Sequence, residues 1–302
     1  MHESGTVLAR FIAMSIATVD PEASNLKQRL AGMVESMPAF PESVHQVMEM
    51  SADINCSPKD LVRVIERDPV MTMKLLKLVN SAFFALSKHV SSVQHALVYL
   101  GMNTVKNLAV SIATVNTLPR QSIPELSMAS FLTHSIATAS VAQHLAKNVL
   151  KLRDASDHFV GGLLHDFGKA VLIQFEPTTY SRVIRQARER QLPLSQVELE
   201  ELGMSSSEVG AMLAESWQFP DVLVDCIRGQ LDYNGESSDL ILTVAAANTV
   251  VKTMQLGDNG DPCPGEFSDM MKERLDCDIE TVINDMQGLQ DEVRGLINMV
   301  QG

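Results

Sequence analysis

The residues best suited to chemistry lie in one run, Gly161-Gly162-Leu163-Leu164-His165-Asp166-Phe167-Gly168-Lys169. The adjacent His165 and Asp166 offer an imidazole nitrogen and a carboxylate oxygen from a single backbone turn, a donor pair suited to manganese, iron, zinc or a similar divalent ion. Upstream, His134 begins a stretch with Ala137, Ala139, Val141 and Leu145 at helical spacing and could meet the pair across a helix interface. Two histidines and one aspartate make an incomplete metal site, and a hydrogen-bonded core histidine is the commoner use of such a ring. Lys169 reads as a cation near a helix end or as an ion-pair partner. Asn80-Ser81 is explained by a capped helix end, and Trp217 by a core anchor beside a helix break. His89 and His95 flank a turn without an acidic partner in sequence, while His144 and His158 could line the edge of the His-Asp site.

The elements that must position these groups read as helices. Ser57-Pro58 and Asp68-Pro69 each place an N-capping side chain before a proline whose missing N–H costs nothing at the first helical position. Leu61, Val62, Val64 and Ile65 follow the first, and Met73, Leu75, Leu76, Leu78 and Val79 the second, with Asn80 as the stop. Ser91 with Gln94 suggests a capping box before Ala96, Leu97 and Leu100, and Gly101 stands where a C-terminal glycine belongs. Asn103 is placed to cap the helix carrying Val105, Leu108, Ala109 and Ile112. No period-2 alternation competes, so the expected fold is all-α, with two helical lobes meeting near the proline-bracketed break 118–127. The expected organisation is an N-terminal extension over 1–25, a domain over 26–256 with lobes 26–117 and 128–256, and a helical tail over 266–302. A polar loop, Gly257 to Pro262, precedes that tail. The tail's stripe of Leu275, Ile279, Val282, Ile283, Met286, Leu289, Val293 and Ile297 could pack on its own core or pair with another chain.

Whole-chain properties narrow the function classes. The 302 residues are 45% apolar, enough for a substantial core, and the 17 methionines with only 5% aromatics suit helix packing. A net charge of −13 disfavours generic binding to nucleic acid or anionic membranes. The span 58–110 departs from this, with seven cations against three anions. It offers a basic face for an acidic partner or a phosphate, or simply a solvated helix surface. The four cysteines, Cys56, Cys226, Cys263 and Cys277, form no C-x-x-C pair, which suggests reduced thiols and a cytoplasmic location. The apolar stretch Phe11–Ala17 is too short to span a membrane and lacks a basic flank, so neither a signal peptide nor a membrane helix is expected.

The His134…His165-Asp166 order within Gly-Leu-Leu-His-Asp-Phe-Gly-Lys resembles the HD superfamily of metal-dependent phosphohydrolases, in the branch containing HD-GYP and HDOD domains. The first lobe is similar to HDOD in particular, through Met37-Pro38-Ala39-Phe40-Pro41, Asp68-Pro69-Val70-Met71-Thr72, Leu78-Val79-Asn80-Ser81-Ala82 and Ala96-Leu97 with Leu100-Gly101. The resemblance spans roughly 26–251. It implies bacterial signal transduction, with His134, His165, Asp166, Lys169 and Asn248 marking the ancestral site. The departures weaken that site. The later aspartate of HD hydrolases is matched by Asn248, whose neutral amide is a poorer cation partner. The further histidines of HD-GYP enzymes would fall near Ser206 and near Gln230-Leu231, yet no histidine follows His165, and the Gly-Tyr-Pro motif is missing. Without metals, the lysine that resembles a helper of phosphodiester cleavage, Lys169, has little to assist. The expectation is a non-catalytic module with no cofactor beyond a weakly held single divalent ion, acting through a signalling protein or small ligand, with self-association open. The alternative is a residual metal-dependent phosphohydrolase acting on a nucleotide or cyclic dinucleotide.

Overall fold

The computed structural model describes residues 57–80, 84, 86, 88–117, 121–153, 155–289, 291 and 293, with isolated positions at 29, 32, 34, 46, 47 and 50. The extension 1–25, the Met37–Pro41 motif, Cys56, Ser81-Ala82 and the tail from 294, including Ile297, lie outside them. The described residues are helical, and no strand forms among them beyond one isolated antiparallel bridge, Ile123 to Leu126.

The first lobe contains α1 (Pro58–Glu66), α2 (Pro69–Val79), α3 (Val93–Leu100) and α4 (Met102–Thr117). Its capping chemistry is local. Ser57 accepts from the Asp60 N–H, Asp68 accepts from the Val70 and Met71 N–H groups, and each proline sits in the first turn. Asn80 closes α2 and does more than cap. Its amide donates to the Leu76 and Val90 carbonyls at 2.8 and 2.7 Å and accepts from the Val90 N–H at 2.7 Å, tying together the two ends of the 81–89 connection. Two expected caps move, by one residue and by two. Ser92, not Ser91, caps α3 by accepting from His95 N–H, because it is the residue with extended backbone before the first turn. Gly101, at φ +80°, leads directly into α4, so Asn103 lies inside that helix.

The second lobe runs from α5 (Met128–His144), extended by a π-helical turn (Leu145–Val149), through α6 (Ser156–Leu164), α7 (Phe167–Phe175), α8 (Pro177–Arg190), α9 (Leu194–Leu202), α10 (Ser206–Ser216), α11 (Asp221–Gly229) and α12 (Asp239–Thr253). Helix α5 is its centre, buried along nearly its whole length and packed between α6 and α12. The lobes join where α4 packs on α6. Trp217 is the expected core anchor, edge-on to Phe167 at 5.4 Å and beside Phe219 at 6.0 Å. The tail forms two short helices, α13 (Asp269–Leu275) and α14 (Ile279–Asp285). They are separated because Asp276 adopts a left-handed conformation and Asp278 caps the next turn. Leu275, Val282, Met286, Leu289 and Val293 are buried in the chain's own core, and Ile279 and Ile283 pack partly buried against it.

Candidate functional site

Two close helix crossings bring the chemical residues together. At Gly162 an added Cβ would lie 2.7 Å from Ala139 Cα, so α6 reaches the backbone of α5 only because position 162 has no side chain. At Gly168 it would lie 1.8 Å from the Ser206 carbonyl oxygen, the corresponding contact of α7 with α10. His165 and Asp166 form the two-residue break between α6 and α7, and both side chains turn inward. His134 faces them from α5, with the imidazole centroids 5.4 Å apart. One ligand atom from each of His134, His165 and Asp166 lies within 4.8 Å of the others.

The hydrogen bonds converge on one atom. Asp166 Oδ2 accepts from Lys169 Nζ at 3.0 Å and from Asn259 Nδ2 at 2.8 Å, with His165 Nε2 at 3.2 Å and His134 Nε2 at 3.8 Å. Lys169 Nζ also donates to the Asn259 carbonyl at 3.0 Å. Burial alone would push the Asp166 carboxyl up; the neighbouring His165 and the Lys169 ammonium outweigh it and hold it well below the usual carboxylate range. His134 is pushed well below the ordinary imidazole value, first by burial and then by the neighbouring His165. His165 Nδ1 lies 2.7 Å from the Gly162 carbonyl, which can only accept, so Nδ1 carries the proton. Nε2 is then the ring nitrogen left facing Asp166 Oδ2, buried and without an aligned hydrogen bond among the described residues.

Asn259 is the residue that sequence reasoning missed. It lies in the polar loop, which the structure folds over the cluster. Gly257, at φ +76°, sits so close to α5 that a Cβ would be 2.4 Å from the His134 backbone nitrogen, and the Asp258 N–H donates to the Ser130 carbonyl at 3.2 Å. Lys252 holds the far end through Asp261 at 2.9 Å and the Cys263 carbonyl at 2.7 Å. A run of turn-forming residues carries no sign of which turn will cover a site. Asn248 is buried on α12; it donates to Gln230 Oε1 at 3.4 Å and makes no hydrogen bond to Asp166. His158 is a core histidine bonded to Thr243 Oγ1 at 2.7 Å. Ser206 helps to hold a second buried carboxylate: its N–H and hydroxyl donate to Glu198 Oε2 at 2.7 and 3.0 Å, while the Tyr180 hydroxyl donates to Oε1 at 2.6 Å.

As a donor set, His134, His165 and Asp166 fit one divalent ion, since the Nδ1 contact with the Gly162 carbonyl leaves His165 Nε2 as the atom it could offer a metal. They do not fit two, and no other cluster of three such donors occurs among the described residues. An ion here would also share Asp166 Oδ2 with the Lys169 ammonium, adding positive charge to a buried site already neutralised.

An all-helical fold in two lobes, with a His/His-Asp cluster at a glycine-mediated helix crossing, defines an HD-type domain. The chain belongs to the HDOD domain family, whose model matches residues 37–233. In fold it is similar to an HDOD domain protein of unknown function from Geobacter sulfurreducens, with a TM-score of 0.72 and 19% identity over 90% of this chain and 98% of that one. It is also similar to a protein provisionally named a signal transduction protein from Marinobacter aquaeolei, with a TM-score of 0.75 and 23% identity over 94% of this chain and 68% of that one. A third structure, provisionally named a phosphohydrolase, from Shewanella amazonensis, gives a TM-score of 0.72 and 22% identity over 90% and 97% of the two chains. An uncharacterized protein of Treponema pallidum is 24% identical over 253 residues; the match covers 83% of this chain and about half (49%) of that relative's length.

Proposed function

We propose that this chain is a non-catalytic signalling module, built on a degenerate HD site and acting through a protein partner or small ligand. The observation that carries the reading is the internal closure of the cluster. Asp166 is satisfied by Lys169 and Asn259, and these groups, with His134 and His165, are each at most 5% exposed. A hydrolase must bring a metal to these oxygen and nitrogen atoms and a phosphoester to the metal, whereas here a protein ammonium and amide already hold the carboxylate beneath the Gly257–Pro262 loop. The absence of any histidine after His165 supports the same reading. The Marinobacter protein's name is in keeping with it. No described helix is long and apolar enough to cross a membrane.

One observation favours a second reading, a residual single-metal phosphohydrolase: the buried His165 Nε2 beside Asp166, without an aligned hydrogen bond among the described residues. A divalent ion at such a site would supply Lewis-acid polarisation of a phosphoryl oxygen. The test supplies Mn(II) or Fe(II) with phosphomonoester, nucleotide and cyclic-dinucleotide substrates. The expected result is no metal-dependent turnover. Turnover that disappears in both His165→Ala and Asp166→Ala would promote the hydrolase.

A further inference from the structure

A second site lies at the junction of both lobes and the tail. Helices α3 and α4, the end of α5 with its π turn, and the segment following α14 enclose a cleft of about 640 Å³, in the size range of small-molecule sites. Its lining includes Ser140, a buried residue of α5 whose hydroxyl has no hydrogen-bond partner among the described residues. That is unlike its neighbours on the same helix. Ser135 and Thr138 each donate to the carbonyl four residues back, at 3.1 and 2.9 Å. A buried hydroxyl left unpaired is costly, and a turn of the Ser140 side chain about χ1 would offer it to a ligand in the cleft that the residue lines.

The rim is cationic. The π turn, closed by the Leu150 N–H on the Leu145 carbonyl at 2.9 Å, carries Lys147, and Arg153 follows it. Such turns recur at functional sites. Among the described residues neither Lys147 nor Arg153 has an ion-pair partner. Asp285 is the acidic residue among the described lining, and His144 is lowered by burial, with Asp285 opposing, which favours its neutral form. Among the described lining residues two cations, Lys147 and Arg153, thus stand against one carboxylate, Asp285, in a chain of net charge −13. Tyr99, 49% exposed, lines the cleft with its ring, and Gln143 adds an amide.

We propose that this cleft binds a small phosphorylated molecule with a planar ring, of the nucleoside-phosphate class: phosphate on Lys147 and Arg153, ring against Tyr99, and a polar ligand atom on Ser140. The proposal rests on the reading of the chain as a ligand-responsive module. It gives the ligand a place where both lobes meet, so that binding would bias their arrangement.

The test titrates the full chain with AMP, ADP, GMP and GDP by calorimetry, with pyrophosphate as the ring-free probe. At least one nucleotide should saturate. The Lys147→Glu/Arg153→Glu double variant, at exposed positions and checked for an unchanged melt, should weaken it by tenfold or more, and Tyr99→Ala by several-fold. Lack of saturation by any nucleotide at millimolar concentration overturns the proposal, as does undiminished binding in the double variant. Pyrophosphate binding as tightly as the nucleotides overturns the ring assignment. Affinity lost in Asp166→Asn but kept in the double variant puts the nucleotide at the His-Asp cluster and refutes the cleft. The metal-dependent hydrolysis assay decides the non-catalytic reading separately, since turnover there leaves the cleft affinities untouched.

Discussion

Replacing Lys169 with methionine removes the one ammonium that contacts Asp166 while keeping a side chain of similar length. The carboxylate would then stay buried with Asn259 as its remaining firm donor. Breaking a buried pair by deleting one partner costs about 3–5 kcal/mol, and because the Asn259 amide still serves the same oxygen, the lower end, about 3 kcal/mol, is expected at neutral pH. Chemical denaturation of parent, Lys169→Met, Asp166→Asn and the double variant measures it. Asp166→Asn strands the ammonium in turn, so the double variant should be less destabilised than the sum of the singles by about 2 kcal/mol or more, the coupling expected of groups in direct contact. The pH dependence has a defined sign. Asp166 is depressed in the folded state, so its contribution is present above the ordinary carboxylate range and lost as pH falls through its folded value. Without Lys169 the depression shrinks, the variant protonates Asp166 at a higher pH, and its deficit relative to the parent should narrow on acidification. A Lys169→Met cost below about 0.5 kcal/mol, or additive singles, would refute the claim that this pair closes the site.

Gly162→Ala should destabilise by about 1–3 kcal/mol or more through overpacking against the α5 backbone, and Gly168→Ala should fail to give a cooperative thermal melt, since its Cβ would meet backbone on α10 that cannot swing aside. Asn80→Ala removes three hydrogen bonds and should cost about 2–4 kcal/mol, with faster hydrogen exchange at the Val90 amide as the specific readout. Tyr180→Phe deletes a donor to Glu198, whose carboxyl is held above its ordinary range by burial despite the opposing Lys169 and Ser206. A raised acid favours the fold at low pH and loses that contribution as pH rises through its folded value; removing a donor to the charged form raises it further. The deficit, about 1.5–3 kcal/mol at neutral pH by urea denaturation, should therefore shrink toward pH 4.

How much could be read beforehand depends on the range of the interaction. Caps at Ser57 and Asp68 and the glycine stop at Gly101 are settled within four residues, so sequence specifies them. The error between Ser91 and Ser92 arose because two adjacent serines offer the same chemistry and only backbone conformation chooses between them. The all-helical class followed from the repetition of such signals. The motif residues His134, His165, Asp166 and Lys169 were nameable because each is a distinctive group in a distinctive run. Their meeting depends on Gly162 and Gly168, whose role as contact points across helices is invisible until the partners, Ala139 and Ser206, are known. The closing contact from Asn259 was illegible for a stronger reason: it joins positions 93 residues apart, through a loop whose composition announces a turn and nothing else.

The same distinction explains why Asn248 was the natural candidate and Asn259 the observed partner. Alignment with a metal-binding pattern asks which residue occupies the old ligand position, whereas electrostatics asks which groups can satisfy a buried carboxylate once the charge of an ion is reduced or absent. Lys169, one turn away on its own helix, supplies the charge with little added ordering, because the α7 backbone is already fixed. Its second hydrogen bond, to the Asn259 carbonyl, anchors the residue whose amide donates to the same carboxylate. Lysine, aspartate and loop thus form a closed triangle in which each contact makes the others cheaper to hold. On the non-catalytic reading, that triangle would let an HD-type core remain folded around its most polar residues without an ion to organise them.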